Sequence, residues 1–326
     1  MDNKYQDSFA RKIKDEAMYL SMSKGKLSQL IDIVKNIDEK SKSDYYRRLT
    51  KVNKGRRFID QFLQGSGCEL AEKFWSKNSS SRLAFDLYSW IPNVVFEKKL
   101  PGVICSKAGP AGVPNMDVYI ELSDRHLFIE SKYTEKAGLS YTNGDKPNLS
   151  KAYWDKGIYG GIPLAQRFYN NEPVARKFSN FCEEMQDFID KNVKTNTHKW
   201  FDVKQETCHL FGVIMFALNA RKENGSFICN ENYNLSKKIT LCNVIWKMVG
   251  DDFNYHNSLP GHFKEKAEDL INDILGNCFT FEIKTVQEVR ESTDFYGLNF
   301  KDARSFELDN TVYEQMKQYE RTDTRQ

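Results

Sequence analysis

The stretch "DVYIELSDRHLFIESKY", residues 117–133, contains two mainly apolar segments that are joined by the short polar segment "SDRH". Short apolar segments of this kind predict strands, and the polar connection predicts an antiparallel hairpin. Asp117 begins the first strand, whereas Glu130 and Lys132 lie two residues apart at the end of the second. These charges indicate either a solvated hairpin or a metal site on a sheet.

Side chains alternate across a strand, so Glu130 and Lys132 share one face of the hairpin. If Asp124 and Arg125 form the centre of the turn, Asp117 lies opposite Lys132 and diagonal to Glu130, within side-chain reach. Two carboxylates so placed repel one another unless they are protonated or bridged by a cation, and oxygen ligands favour Mg²⁺. The alternative is a surface ion-pair cluster that contributes little to stability.

An acid-x-Lys tripeptide is by itself no evidence for such a site, because a chain with 45 acidic residues contains several by chance. Tripeptides that begin at Glu97 and Glu282 also lie in expected strands. The tripeptide at Glu130 differs from them, because a strand that carries an acid, Asp117, runs directly into it through a short turn.

The surrounding sequence predicts an α/β fold in which a mixed sheet is flanked by helices. A helix over 81–90, with Ser81 as its N-cap, precedes a strand over 94–100, and both come before the hairpin. An amphipathic helix over 262–275 separates two further strand candidates, "KITLCNVIWKMV" and "CFTFEIKTVQEV". Periodicity does not decide whether "CHLFGVIMFAL", residues 208–218, forms a strand or a helix.

The N-terminal part of the chain is basic and has a helical pattern. Residues 1–60 contain 15 Lys/Arg against 9 Asp/Glu, in a chain whose net charge is +3. We therefore expect a helical, basic N-terminal extension over 1–64 and a main domain over 65–326. Basic residues interleaved with tyrosines could bind nucleic-acid phosphates, although a solvated helix face has the same pattern. The candidates for phosphate binding are Arg47, Arg48, Lys51, Lys54, Arg56 and Arg57.

The seven cysteines are scattered singly and form no CxxC pair, which argues for reduced thiols and against a zinc or iron–sulfur cluster. The N-terminus lacks the apolar core of a signal peptide, and the longest apolar run, residues 210–218, is too short for a membrane span. We expect a cytoplasmic protein without a membrane partner.

The segment "NMDVYIELSDRHLFIESKY", with Asp117, Glu130, Ser131 and Lys132, resembles the signature of the PD-(D/E)XK nuclease superfamily, which has the restriction-endonuclease-like fold. In that superfamily an Asp begins one strand of a hairpin and Glu-x-Lys ends the next, after a helix and a first strand. More narrowly, "SSSRLAFDLYSWI", "VVFEKKL" and "FIESKYTE" resemble a bacterial family of restriction-endonuclease-like proteins. The resemblance covers residues 79–136.

This resemblance implies a restriction-endonuclease-like mixed sheet and a Mg²⁺-dependent active site in which Mn²⁺ can substitute. Asp117, Glu130 and the Ser131 carbonyl would be the metal ligands, and Lys132 would be the catalytic base. Met116 stands where the superfamily often has Pro. The further acid that many members place on an upstream helix has no clear equivalent. Its candidates are Glu69, Glu72 and Glu97.

Gln205 and His209 lie one helical turn apart, and nucleases of this fold often place a Gln on the helix behind the site. Gln205 is therefore a candidate supporting residue, whereas a histidine beside an apolar run is more often part of the core. The resemblance implies an endonuclease that hydrolyses phosphodiester bonds of double-stranded DNA, in restriction or defence, with a homodimer as the simplest way to cut both strands. The alternatives are a non-catalytic nucleic-acid-binding module on a decayed nuclease fold and an RNA-directed nuclease.

Overall fold

The structure, a computed structural model, describes the residues that form a central sheet and the helices around it. The described residues are 48–49, 51–53, 56–64, 74, 79–100, 114–132, 172–192, 201–219, 221–223, 226–228, 236–245 and 259–303. The helix expected within the N-terminal extension lies outside these ranges, as do Arg47, Lys54, Glu69 and Glu72.

Helices and strands are interspersed along the chain. The strands are β1 (Val52–Asn53), β2 (Arg56–Arg57), β3 (Val95–Lys99), β4 (Asn115–Glu121), β5 (Arg125–Lys132), β6 (Arg221–Glu223), β7 (Ser226–Ile228), β8 (Lys238–Ile245) and β9 (Phe279–Thr285). The helices are α1 (Phe58–Gln64), α2 (Ser80–Tyr88), α3 (Glu172–Asn192), α4 (Val203–Ala217), α5 (Leu259–Leu275), α6 (Val286–Glu291) and α7 (Phe300–Ala303).

Within the described ranges, the largest sheet has five strands in the order β3-β4-β5-β8-β9. The pairs β3–β4 and β4–β5 are antiparallel, whereas β5–β8 and β8–β9 are parallel. Each parallel pair needs a crossover connection. Helices α3 and α4 lie between β5 and β8 in the chain, and α5 lies between β8 and β9. The predicted mixed sheet flanked by helices is therefore confirmed.

Helices cover both faces of this sheet. Side chains such as Leu241 and Phe281 pack on one face against α3, α4 and α5, whereas Val244 and Ile129 pack on the other face against α1, α2, α6 and α7. A strand that is buried on both faces has an apolar sequence without alternation, as "ITLCNVI" of β8 shows. In the part of the chain that the structure describes, no helix is long and apolar enough to cross a membrane.

An aromatic cluster joins α1 to the sheet. Phe58 and Phe62 of α1 pack against Phe85 of α2 and Phe96 of β3, with ring centroids 5.2–5.9 Å apart. Such pairs contribute about 0.5–1.5 kcal/mol each beyond the burial of their surface. Phe58 and Phe62 thus belong to the same hydrophobic core as α2 and β3.

Two helix starts decide the placement of the site. The N-cap of α2 is Ser79, whose hydroxyl accepts a hydrogen bond from the Arg82 amide at 3.0 Å. The predicted N-cap, Ser81, is wrong, because Ser81 already lies within the helix. Asp202 caps α4 by accepting hydrogen bonds from the next turn of backbone amides. Helix α4 extends from Val203 to Ala217, so segment 208–218 is helical except for its last residue.

Helix α4 can lie close against Leu100 and Pro114 because Gly212 has no side chain. A Cβ atom added to Gly212 would lie 2.8 Å from the Cβ of Pro114 and 2.9 Å from the Cβ of Leu100. Both neighbours are rigid at that atom, so neither can move aside without the backbone. The glycine therefore sets how closely α4 approaches the end of β3 and the start of β4.

Replacing Gly212 with alanine is expected to lower the free energy of unfolding by about 1–3 kcal/mol, the usual cost of overpacking. Helix propensity alone predicts the opposite sign, a gain of roughly 1 kcal/mol. Denaturation by urea, with the parent measured in parallel, separates the two effects by sign. A more stable variant would contradict the close approach of α4.

Candidate active site

The hairpin brings Asp117 directly beside Glu130. Val118 pairs with Ile129 and Glu121 pairs with His126, so one step further along the ladder Asp117 is aligned with Glu130. The predicted register, with Asp117 opposite Lys132, is wrong. The turn is centred on residues 123–124 rather than on 124–125, and it is closed by a hydrogen bond across it. The correction brings the two carboxylates closer together than the predicted diagonal placement did.

Asp117 lies where the main chains of β4 and β5 stop pairing. Its Oδ2 accepts a hydrogen bond from the Ser131 amide at 2.7 Å. Burial raises the pKa of Asp117 well above its usual range, and the negative charges of Glu130 and Glu97 raise it further. Lys132 and the Ser131 amide oppose this increase without cancelling it. The folded protein therefore disfavours the charged form of Asp117, which a nearby cation would stabilise.

Glu130, Lys132 and Gln205 form a closed ring of hydrogen bonds. Lys132 Nζ donates to Glu130 Oε1 and to Gln205 Oε1, both at 2.8 Å, and Gln205 Nε2 donates to Glu130 Oε1 at 2.9 Å. Burial acts to raise the pKa of Glu130, but Lys132 and His209 outweigh it, so that this pKa is lowered. Glu130 is thus an ionised carboxylate in the interior. The predicted supporting residue Gln205 does lie at the site.

A third carboxylate lies on the neighbouring strand. Phe96 pairs with Val118 and Lys98 pairs with Met116, which aligns Glu97 of β3 with Asp117. Glu97 is buried, has a positive φ of 50°, and accepts a hydrogen bond from the Asn115 side chain. A row of three carboxylates therefore crosses three adjacent strands at Glu97, Asp117 and Glu130. Of the candidates for an additional acid, the described residues include only Glu97.

Two buried residues of α4 complete the surroundings of Glu130. His209 Nε2 lies 3.8 Å from Glu130 Oε2, and His209 Nδ1 lies 3.8 Å from Glu206 Oε2. Burial acts to lower the pKa of His209, but Glu130 and Glu206 together raise it above the usual value. The expectation of a core histidine is correct about burial, yet His209 also faces the site. Glu206 was not predicted from the sequence. Its position three residues before His209 would have indicated that the two side chains lie together on a helix.

The predicted phosphate-binding residues are not all placed for that role. Arg48 is buried, pairs with Asp86 at 2.9 Å, donates to Ser89 at 3.1 Å and lies 4.8 Å from the Phe85 ring centroid. A paired guanidinium in the core is not available to a phosphate, so Arg48 acts as a structural residue. Lys51 is exposed.

The backbones of Arg56 and Arg57 form β2, and the structure describes nothing of their side chains. Arg47 and Lys54 lie outside the described residues. Phosphate binding by these residues, including the exposed Lys51, stays a prediction.

The donor atoms at the hairpin fit a hard divalent cation such as Mg²⁺. Glu130 Oε2 is buried and has no hydrogen-bond partner among the described residues. A buried carboxylate oxygen in that state is one that a cation or an ordered water would satisfy. The structure, over the ranges it describes, has no group of three or more His, Cys, Asp and Glu side chains that could hold a metal ion. Asp117 and Glu130 would therefore need a backbone carbonyl, such as that of Ser131, and waters, which Mg²⁺ commonly retains.

Comparison of the chain with protein-family models, with curated proteins and with solved structures found no match.

Proposed function

We propose that this protein is a Mg²⁺-dependent endonuclease of restriction-endonuclease-like fold that hydrolyses DNA phosphodiester bonds. The observation that carries the proposal is the convergence of Asp117, Glu130, Lys132 and Gln205 where β4 begins and β5 ends, beside the start of α4. Buried carboxylates beside a buried ammonium group are costly to assemble, and such groups are found mainly at functional sites.

Each side chain has a definite role in this proposal. Asp117 and Glu130, with the Ser131 carbonyl, would hold Mg²⁺, which when bound would supply Lewis-acid stabilisation of the charge that develops on the phosphate. Lys132, once its ammonium group has released a proton to solvent, would take a proton from the attacking water, because its Nζ lies beside the ligand oxygens. Gln205 fixes the Lys132 ammonium by accepting its hydrogen bond. Glu97 is the candidate for an additional acidic ligand.

The proposed substrate is double-stranded DNA, and a homodimer would place one site on each strand. Lys51 is an exposed basic residue. The basic segment around it would bind phosphates in a salt-dependent manner. Restriction or defence is the role we propose for such an enzyme.

One observation favours a second candidate function, a non-catalytic nucleic-acid-binding module on a decayed nuclease fold. The ion pair between Lys132 and Glu130 at 2.8 Å is complete without a metal, and Gln205 closes the ring around it. An inactive descendant of a nuclease would have the same contacts. This candidate predicts salt-dependent binding of nucleic acid without cleavage.

The decisive experiment is a cleavage assay of the purified full chain on supercoiled plasmid DNA and on structured RNA, with MgCl₂, MnCl₂ or EDTA. We expect plasmid nicking or linearisation that needs the divalent cation. Glu130→Gln is expected to abolish it, because the amide removes the ionised ligand while preserving the shape of the side chain. The melting temperature of each protein is recorded in parallel to show that the variant is folded.

Glu121→Gln is the matched control for this experiment. Glu121 lies on the same hairpin but at the surface, where it pairs with Lys237 at 3.0 Å. Surface pairs of this kind contribute about 0–1 kcal/mol, so the control should cut like the parent. Cleavage of RNA alone would shift the substrate class to the RNA-directed alternative. Binding without any cleavage would support the non-catalytic module instead.

A further inference from the structure

Beside the carboxylate of Glu130 lie two buried polar residues of α4, Glu206 and His209, that the proposed reaction does not use. Glu130, Glu206 and His209 are 3%, 1% and 3% exposed. Within the described residues, Glu130 Oε2, Glu206 Oε2 and His209 Nδ1 all lack a hydrogen-bond partner. A buried polar atom without a hydrogen-bond partner is costly, so a cluster of three such atoms, one of them on the imidazole, requires an explanation.

The imidazole of His209 lies between the two carboxylates. Its Nε2 faces Glu130 at 3.8 Å and its Nδ1 faces Glu206 at the same distance. A shift of less than about 1 Å would bring each nitrogen within hydrogen-bond distance of its carboxylate. The two oxygens of Glu130 have different surroundings: Lys132 and Gln205 donate hydrogen bonds to Oε1, and the imidazole of His209 lies near Oε2.

We infer that His209 is a positioning residue for Glu130, and that Glu206 in turn orients His209. The effect of His209 on metal binding and catalysis rests on the proposed function, whereas the contact between His209 and Glu130 does not. A histidine that is anchored by a carboxylate on one nitrogen keeps a fixed ring orientation and fixes the group at the other nitrogen. His209 thereby fixes the rotation of the Glu130 carboxylate, so that its ligand oxygen keeps one direction.

The position of α4 supports this role. Asp202 caps the helix just before Glu206, and Gly212 allows the same helix to lie close against the sheet. Glu206 and His209 are three residues apart, so their side chains lie on the same side of the helix. The geometry of the pair is therefore set by a rigid element and not by a loop.

The contact is tested without metal by a double-mutant cycle in EDTA. The parent, Glu130→Gln, His209→Leu and the double variant are unfolded with urea. We expect the effect of the double variant on the unfolding equilibrium constant to differ from the product of the single effects by a factor of about 2 to 100, as for residues in contact. Strict additivity would overturn the inference, whether or not the protein cuts DNA.

The positioning role is tested by cation affinity, measured as the rise in melting temperature with MgCl₂ and with MnCl₂. His209→Leu and Glu206→Gln are expected to weaken binding about 10- to 100-fold, the usual effect of losing a group that orients a ligand. His209→Gln should recover most of the affinity, because its amide nitrogen can reach the place of Nε2. A merely structural histidine would not be rescued by glutamine in this way.

Several outcomes would overturn the positioning role. Equal loss of affinity in the leucine and glutamine variants, or no loss in either, would do so. A loss for Mn²⁺ with Mg²⁺ affinity preserved would make the imidazole a direct ligand and would also overturn it. If the parent itself shows no cation-dependent rise, the proposed function fails, and the cycle in EDTA still decides whether His209 and Glu130 are coupled.

Discussion

Replacing Lys132 with arginine is expected to leave the fold intact and to lower the rate of Mg²⁺-dependent cleavage by roughly 10²–10⁴-fold, the usual contribution of a general base. Arginine keeps the positive charge beside Glu130, so the buried ion pair survives. It cannot release its proton near neutral pH, because its pKa lies above about 12. Plasmid cleavage under single-turnover conditions, together with the melting temperature, checks both expectations.

The neutral replacement Lys132→Met is expected to behave differently. It leaves the buried charge of Glu130 without its ammonium partner at 2.8 Å, which should destabilise the protein by about 3–5 kcal/mol. Adding Glu130→Gln removes that uncompensated charge, so the double variant should recover much of the lost stability. It should remain inactive, because both the ligand and the base are then absent.

These three variants separate a catalytic lysine from a structural one. If Lys132→Arg cuts DNA at the parental rate, proton transfer by Lys132 is excluded, and the ammonium group serves only as a charge. If the double variant is no more stable than Lys132→Met, the uncompensated charge of Glu130 does not account for the destabilisation caused by Lys132→Met. Both comparisons use one buffer and one salt concentration, because binding of DNA depends strongly on salt.

Much of the fold could be predicted from the sequence because its strands have strong local signals. Strand β8 is mainly apolar and β5 has an apolar centre at residues 127–129, so these strands could be predicted from pattern alone. The helical state of segment 208–218 could not be predicted, because a fully buried helix has no apolar stripe. Its capping residue, Asp202, was the local signal for a helix start.

The candidate site could be predicted only in part, because its geometry depends on register and on tertiary contacts. A shift of the turn by one residue moved the partner of Asp117 from Lys132 to Glu130. The alignment of Glu97 with Asp117 requires the pairing of β3 with β4, which spans a long connection. Arg48 could not be distinguished from exposed basic residues, because its partner Asp86 lies on a separate helix.

Replacing Asp117 with asparagine is expected to stabilise the cation-free protein at neutral pH while abolishing its stabilisation by Mg²⁺. The amide removes an ionisable group whose charged form is disfavoured by burial and by Glu130 and Glu97. Its oxygen can still accept the hydrogen bond from the Ser131 amide. A gain of about 0.5–2 kcal/mol is typical of a single stabilising substitution. If the variant is more stable than the parent without cation but is no longer stabilised by Mg²⁺, Asp117 is a residue that serves function at a cost in stability.

The pH dependence of this gain has a definite sign. Because the folded-state pKa of Asp117 is raised, its contribution to stability is fully present below the ordinary value of 3.8 and is lost as pH rises through the raised pKa. The asparagine variant does not undergo this loss. The difference in stability between variant and parent should therefore be smallest in acid and should grow as pH rises, measured by urea denaturation in EDTA.

Asp124→Asn, in the turn of the same hairpin, is the matched control and should show the opposite sign. Hydrogen bonds from Arg125 lower the pKa of Asp124, so its contribution is present above its ordinary pKa and is lost as pH falls. This variant should therefore gain no stability at neutral pH and should keep any response to Mg²⁺. If Asp117→Asn instead loses stability at neutral pH, the carboxylates at Glu97, Asp117 and Glu130 do not repel one another. The row would then be a hydrogen-bonded structural feature and not a cation site.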